Sequence, residues 1–287
     1  MTSKPSFLRT DIFLDSGDPA ETRQVLSELG FLDGQTTNPS LVAKNPTILS
    51  LKGEGVLNEE IIWEKYQMVA DRIREGIPHG AISVEVYADM ETDYETMLTK
   101  GRELASWFPG IYVKLPITHN GLKVANILVA EGVHVNMTLC FSQEQAAAVH
   151  AATVGAKYGQ VFVSPFVGRL DDVGIHGLDL IKNIVFMYQA WDSHVKVLGA
   201  SIRNLDHLFG CISLGAHIVT LPRSVIELWI AHGLGNNPAA YVSEISERQP
   251  VAYREIDLKD WVLYDIDHAL TRKGIEKFAA DWKGLFS

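Results

Sequence analysis

Residues 110–118 read GIYVKLPIT, an apolar run with Lys114 at its centre between Val113 and Leu115. An ammonium is expensive to bury, but apolar walls and a neighbouring cation lower a lysine's pKa and free its amine to attack a carbonyl. A Schiff base formed there acts as an electron sink, and a nearby carboxylate would move protons as general acid and base. Asp15 in FLDSG and Glu85 in SVEVY are the candidates for that work. Other polar side chains stand in similar runs: Asn38 in TTNPS, Asn136 and Thr138 in VNMTLC, Ser164 beside Phe166 in VSPFVG, and Ser201 and Arg203 in GASIR.

To act together, these residues need a scaffold that brings distant runs to one place. Short apolar runs alternate with longer segments of helical period: TDIFLD, GFLDGQTTN, AISVEVYA, IYVKLPIT, VHVNMTLCF, QVFVSPFVG, VKVLGASI and AHIVTLP. Eight strands with helices between them predict an α/β fold, a single (β/α)8 TIM barrel, as one domain over residues 1–287. A doubly wound open sheet would alternate similarly, but no run ends in GxGxxG and no GxxxxGK[ST] occurs. Between the second and third runs, Ile62, Tyr66, Val69 and Ile73 form a helical stripe; after the third, Tyr94, Leu98 and Leu104 do so. Ser142 opens a capping box with Gln145 after the fifth run.

Strand side chains alternate between faces, so shared parity means a shared side. If Val113 and Leu115 face the outer helices, Lys114 faces the barrel interior. The same rule turns Asp15 and Glu85 inward and groups Asn136 with Thr138, Ser164 with Phe166, and Ser201 with Arg203. Most of these lie near the C-terminal ends of their runs, where barrel enzymes build active sites. One buried polar residue alone reads as an ordinary hydrogen-bonded core group. A lysine, two carboxylates and an arginine on one face would be a costly way to fill a core.

The 287 residues are 47% hydrophobic and 21% charged, enough to bury a large core. A net charge of -10 gives no long-range attraction for nucleic acid or anionic membrane. The two cysteines, Cys140 and Cys211, sit in apolar segments without CxxC spacing, as expected in a reducing cytoplasm. MTSKPSFLRTDIF lacks a signal-peptide core, and no apolar run approaches a membrane span. Residues 232–262, rich in turn formers and charge, read as an insertion that caps one end or meets another subunit. The segment RKGIEKFAADWKGLF predicts a C-terminal helical extension with Ile275, Phe278 and Trp282 on its docking side.

Two other chemistries compete for these residues. Asp15 and Glu85 could be the paired carboxylates of a glycoside hydrolase, but that leaves the central lysine without a role. Asp171, Asp172 and His176 lie close in sequence, yet no HExxH or His-x-His spacing occurs, and a solvated loop is the simpler reading. No metal site is assigned.

LDSGD, TTNPSLV, SVEVYAD, VKLPIT, VNMTLCFS, SPFVGR and LGASIRN occur in an order that resembles the transaldolase family, class I aldolases with a barrel fold. The likeness runs from LDSGD to KFAADWKGLF. It implies that Lys114 is the Schiff-base lysine and Asp15 the acid/base at the ketose C4 hydroxyl. Glu85 and Thr138 resemble the pair that relays protons through a water, and Asn38 and Asn136 the amides that bind substrate hydroxyls and orient the lysine. Arg169 of SPFVGR, with Ser201 and Arg203, is similar to the phosphate grip.

The reaction so implied moves a dihydroxyacetone unit from a ketose phosphate to an aldose phosphate, as in the pentose phosphate pathway, with no metal or organic cofactor. Phosphorylated sugars are then the partners, and a cytoplasmic homo-oligomer is expected. The related fructose 6-phosphate aldolases cleave without transfer. Where that subgroup has tyrosine and glutamine, this sequence has Phe166 and Glu85, which favours transfer.

Overall fold

The computed structural model describes residues 4–6, 8–234 and 247–286. Eight parallel strands close into a barrel in sequence order: β1 (Asp11–Asp15), β2 (Gly34–Thr36), β3 (Ala81–Glu85), β4 (Ile111–Pro116), β5 (His134–Cys140), β6 (Val161–Pro165), β7 (Val195–Gly199) and β8 (Ile218–Leu221). Helices α1 (Pro19–Leu29), α2 (Pro39–Val42), α3 (Pro46–Gly53), α4 (Glu59–Gly76), α5 (Tyr94–Ala105) and α6 (His119–Ala130) follow the first four strands. After the others come α7 (Gln143–Ala152), α8 (Val167–Asp171), α9 (Gly177–Ala190), α10 (Leu205–Ser213), α11 (Arg223–Ala231) and α12 (Ala269–Lys283). The protein is a (β/α)8 TIM barrel.

Both faces of the sheet are covered, so nearly every strand residue is buried, as in parallel sheets generally. The stripe Ile62, Tyr66, Val69 and Ile73 is the buried face of α4, and the capping box of Ser142 and Gln145 opens α7. Short caps fix where each helix leaves its strand: Asp18 for α1, Asn38 for α2, Thr118 for α6 and Asn204 for α10 each accept a backbone N–H of the first turn. The barrel floor is filled by Phe13, Tyr112 and Phe162, with the Tyr112 and Phe162 rings stacked 4.0 Å apart.

Register sets the next layers. Glu85 pairs with Lys114, Lys114 with Asn136, and Pro116 with Thr138, so four polar side chains from β3, β4 and β5 rise on one inner wall. Asp15 pairs with Thr36 across β1 and β2. The exception is β7, where Leu198, and Ala200 just beyond the strand, line the cavity. Ser201 lies beyond the strand in a left-handed turn (φ 57°), so a loop and not strand parity brings it to the interior.

Of the segment 232–262, residues 235–246 lie outside the described residues. From Gln249 the chain runs along α9 and α7. Gln249 exchanges backbone hydrogen bonds with Gly174 and His176, and the Gln143 side chain bonds both the N–H and the carbonyl of Arg254. The chain then turns over the C-terminal mouth of the barrel as α12, packed on α2 and β5. Trp282 settles against Trp63, with ring centroids 4.7 Å apart. Ile275, Phe278 and Trp282 are the docked face, as the apolar spacing predicts.

Gln145 ties this crossing to the barrel. Its carboxamide oxygen accepts from the N–H groups of Phe141 and Ser142, and its nitrogen donates to the Ile266 carbonyl and the Thr271 hydroxyl. Thr271 in turn donates to the Leu139 carbonyl. Replacing Gln145 by leucine strands several buried polar groups at once. Gln145→Leu should lose roughly 3–5 kcal/mol in urea unfolding followed by tryptophan fluorescence, and a loss below about 1 kcal/mol would disprove the tie.

Candidate active site

A cavity of about 180 Å³ opens at the C-terminal ends of the strands, beneath α12. Lys114 lies in its wall and is only 4% exposed. Its Nζ donates to the Thr37 carbonyl at 3.3 Å and forms an ion pair with Glu85 Oε2 at 2.9 Å, although the angles there fall short of a hydrogen bond. The Phe278 ring lies 6.0 Å from Nζ and supplies an apolar wall.

Asp15 faces Lys114 from β1. Thr36 Oγ1 donates to Asp15 Oδ1 at 2.7 Å, so the 2.6 Å contact between Thr36 and Thr220 must be a donation from Thr220. Burial raises the Asp15 carboxyl above its ordinary range, with the Lys114 cation and Thr36 opposing the shift. Glu85 is raised by burial as well, again opposed by Lys114. In both carboxyls burial thus disfavours the charged form while the Lys114 ammonium favours it.

Behind the lysine, a buried network sets its position. Tyr66, from α4, accepts the Glu85 backbone N–H at 2.9 Å. Thr37 donates its hydroxyl proton to the Ser83 carbonyl, which leaves the Tyr66 hydroxyl as donor to Thr37 Oγ1. Tyr66 thereby links the residue that carries Glu85 to the one whose carbonyl holds Lys114. Burial raises the Tyr66 phenol far above its usual value, so it stays a neutral donor.

Asn136 is fully buried between two hydroxyls, donating to Ser83 Oγ at 3.1 Å and accepting from Ser164 Oγ at 2.7 Å. Asn38 uses its oxygen to cap α2, leaving the amide nitrogen for a ligand in the cavity that it lines. Thr138 is fully buried one inward step above Asn136, and its hydroxyl has no hydrogen-bond partner among the described residues. Arg169 also lines the cavity, its guanidinium 5.2 Å from the Phe166 ring and 5.3 Å from that of Phe278. It forms no ion pair among the described residues, and burial lowers its pKa.

Of the residues singled out from sequence, Lys114, Asp15, Asn38, Ser164, Phe166, Arg169 and Ser201 share this cavity, with Glu85, Asn136 and Thr138 packed directly behind. Arg203 does not line it. Its guanidinium forms a bidentate ion pair with Asp172 near the surface, beside Arg169. Nor do Asp171, Asp172 and His176 form a cluster: Asp171 bonds His207 and the Gly177 N–H, while His176 pairs with Asp179. Thr36, Thr220, Ser40, Lys277 and Phe278 also line the cavity and were missed. Parity signals the two threonines, but nothing in the stripe of α12 says where that helix docks.

The sequence model of the transaldolase/fructose-6-phosphate aldolase family matches residues 12–287. A probable transaldolase of Cereibacter sphaeroides is 37% identical over 270 residues, 94% of each chain. One of Rhodospirillum centenum is 44% identical over 223 residues, covering 77% of this chain and 84% of that protein. One of Dehalococcoides mccartyi is 35% identical over 274 residues, 96% of this chain and 98% of that one.

The raised Glu85 pKa fixes a sign for pH dependence. A carboxyl whose folded pKa exceeds its unfolded value, about 4.3, binds more protons in the folded state between the two values, so stability falls as pH rises across that interval. The stability of the wild type relative to Glu85→Gln should therefore decline from about pH 4 upward and level off above the folded pKa. Paired urea titrations at several pH values check this, and a difference that grows with pH would contradict it.

Proposed function

The chain belongs to the transaldolase/fructose-6-phosphate aldolase family, and on that premise we propose that it is a transaldolase working through a Schiff base on Lys114. The observation that carries the proposal is the buried Lys114 amine beside Glu85 and Asp15 in the wall of a cavity that Arg169 also lines. The donor would be a ketose phosphate such as sedoheptulose 7-phosphate or fructose 6-phosphate. The acceptor would be an aldose phosphate such as glyceraldehyde 3-phosphate or erythrose 4-phosphate.

In this reading Glu85 takes a proton from Lys114, and the amine adds to the ketose carbonyl at C2. Glu85 returns the proton, with Thr138 as relay, as water leaves and the iminium forms. Asp15 then removes the C4 hydroxyl proton, the C3–C4 bond breaks, and its electron pair passes to the iminium. The aldose phosphate departs while a dihydroxyacetone enamine stays on the lysine. An incoming aldose is attacked by C3, Asp15 returns its proton to the new hydroxyl, and hydrolysis releases the product ketose. Asn38 and Asn136 would orient hydroxyls and amine, and Arg169 with Ser201 would hold the phosphate, for which a guanidinium is well shaped.

Fructose 6-phosphate aldolase activity at the same site is the second reading. Phe166 favours transfer, because its ring puts an apolar wall against Arg169 where a hydroxyl could serve water or a proton. A barrel that binds phosphosugar without chemistry is a third reading, disfavoured by the intact Lys114, Asp15 and Glu85. A homo-oligomer in the cytoplasm remains part of the proposal.

Borohydride reduction with fructose 6-phosphate, read by mass spectrometry, should leave a dihydroxyacetone-derived adduct on Lys114. Labelling of another residue, or of none, would sink the mechanism. In a coupled assay, free dihydroxyacetone should form at least ten-fold more slowly than product ketose when an aldose phosphate is supplied. Equal rates would instead select the aldolase.

A further inference from the structure

Helix α12 brings a second cation to the side of the cavity where Arg169 lies. Lys277 and Phe278 both line it, and the Phe278 ring lies 5.3 Å from the Arg169 guanidinium. Gly274, one turn before, packs so close that a Cβ there would come within 2.8 Å of Arg169 Nη1. Residues three and four apart share a helix face, so Gly274, Lys277, Phe278 and Asp281 belong to one side of α12.

Lys277 Nζ reaches both carboxylate oxygens of Asp281, at 3.0 and 2.9 Å. Asp281 also accepts from the hydroxyl of Ser40, which lines the same cavity two residues after Asn38. Burial works against ionisation of Asp281, but the hydrogen bonds from Ser40 and Lys277 prevail and hold its carboxyl below the usual range. An ammonium has three donors, and Asp281 occupies two of them. The third remains for a ligand. The Lys277 side chain is 62% exposed, and an exposed i,i+4 pair is weak enough for a dianion to share.

We propose that Lys277 is a specificity-determining residue that, together with Arg169, binds the phosphate of the sugar substrate while Asp281 and Ser40 hold it at the cavity rim. This inference rests on the phosphosugar reading of the site. It assigns to α12 a part in choosing phosphorylated over neutral sugars, beyond closing the mouth.

Lys277→Met keeps the apolar stem and removes the charge. Calorimetric titration with inorganic phosphate should show about a ten-fold weaker Kd in this variant, the effect of one charge-assisted hydrogen bond, with binding restored in Lys277→Arg. The kcat/KM for fructose 6-phosphate relative to unphosphorylated fructose should fall by a similar factor. Equal phosphate Kd values, no phosphate binding by the wild type, or KM values that rise together for both sugars would each overturn the proposal. Dihydroxyacetone trapping on Lys114 reports the lysine chemistry separately: its failure in the wild type would reject the transaldolase reading, while the phosphate Kd values would still score Lys277.

Discussion

An ammonium and a carboxylate buried together, as Lys114 and Glu85 are at 2.9 Å, hold only while each keeps the other. Removing one partner leaves an uncompensated charge among apolar walls, at a cost of several kcal/mol. The geometry around the pair answers that constraint. Adjacent strands put the two residues in register, the Thr37 carbonyl accepts a hydrogen bond from the lysine, and Tyr66 fixes both supports from the helix layer outside. The strain of holding a cation in a barrel is thereby spread over β2, β3, β4 and α4.

The same pair explains why the mouth needs covering. A buried ion pair is sensitive to solvent, and the open end of a barrel is where water has access. Phe278 provides a lipophilic cover, and α12 is held there by Trp282 against Trp63 and by the Gln145 bonds. Those bonds begin in a helix cap, so the local chemistry that starts α7 also carries a long-range closure. The chain that delivers α12 is itself bonded to α7 and α9 on the way, which limits where the helix can land.

Much of this was legible in the sequence because strands impose a period of two. Once Val113 and Leu115 are taken as outward, the positions of Lys114, Glu85, Asn136 and Thr138 follow, and the register bears them out. The rule fails where a strand ends early. At β7 the left-handed residue Ser201 breaks the alternation, and Arg203 beyond it turns to Asp172, a partner 31 residues away that no local pattern reveals. For α12 the apolar stripe was legible but its destination was not, because docking depends on the matching surfaces of α2 and β5. Lys277 therefore reads as an ordinary charged helix residue until the fold places it.

The placement of Phe278 has a consequence for how the protein comes into being. Strands β1 to β8 are complete by Leu221 and α12 begins only at Ala269, so the residues of the barrel are synthesised before those of its cover. The cover over Lys114 is thus supplied by residues made after those of the barrel, and a barrel interrupted after β8 would leave that side chain open to water.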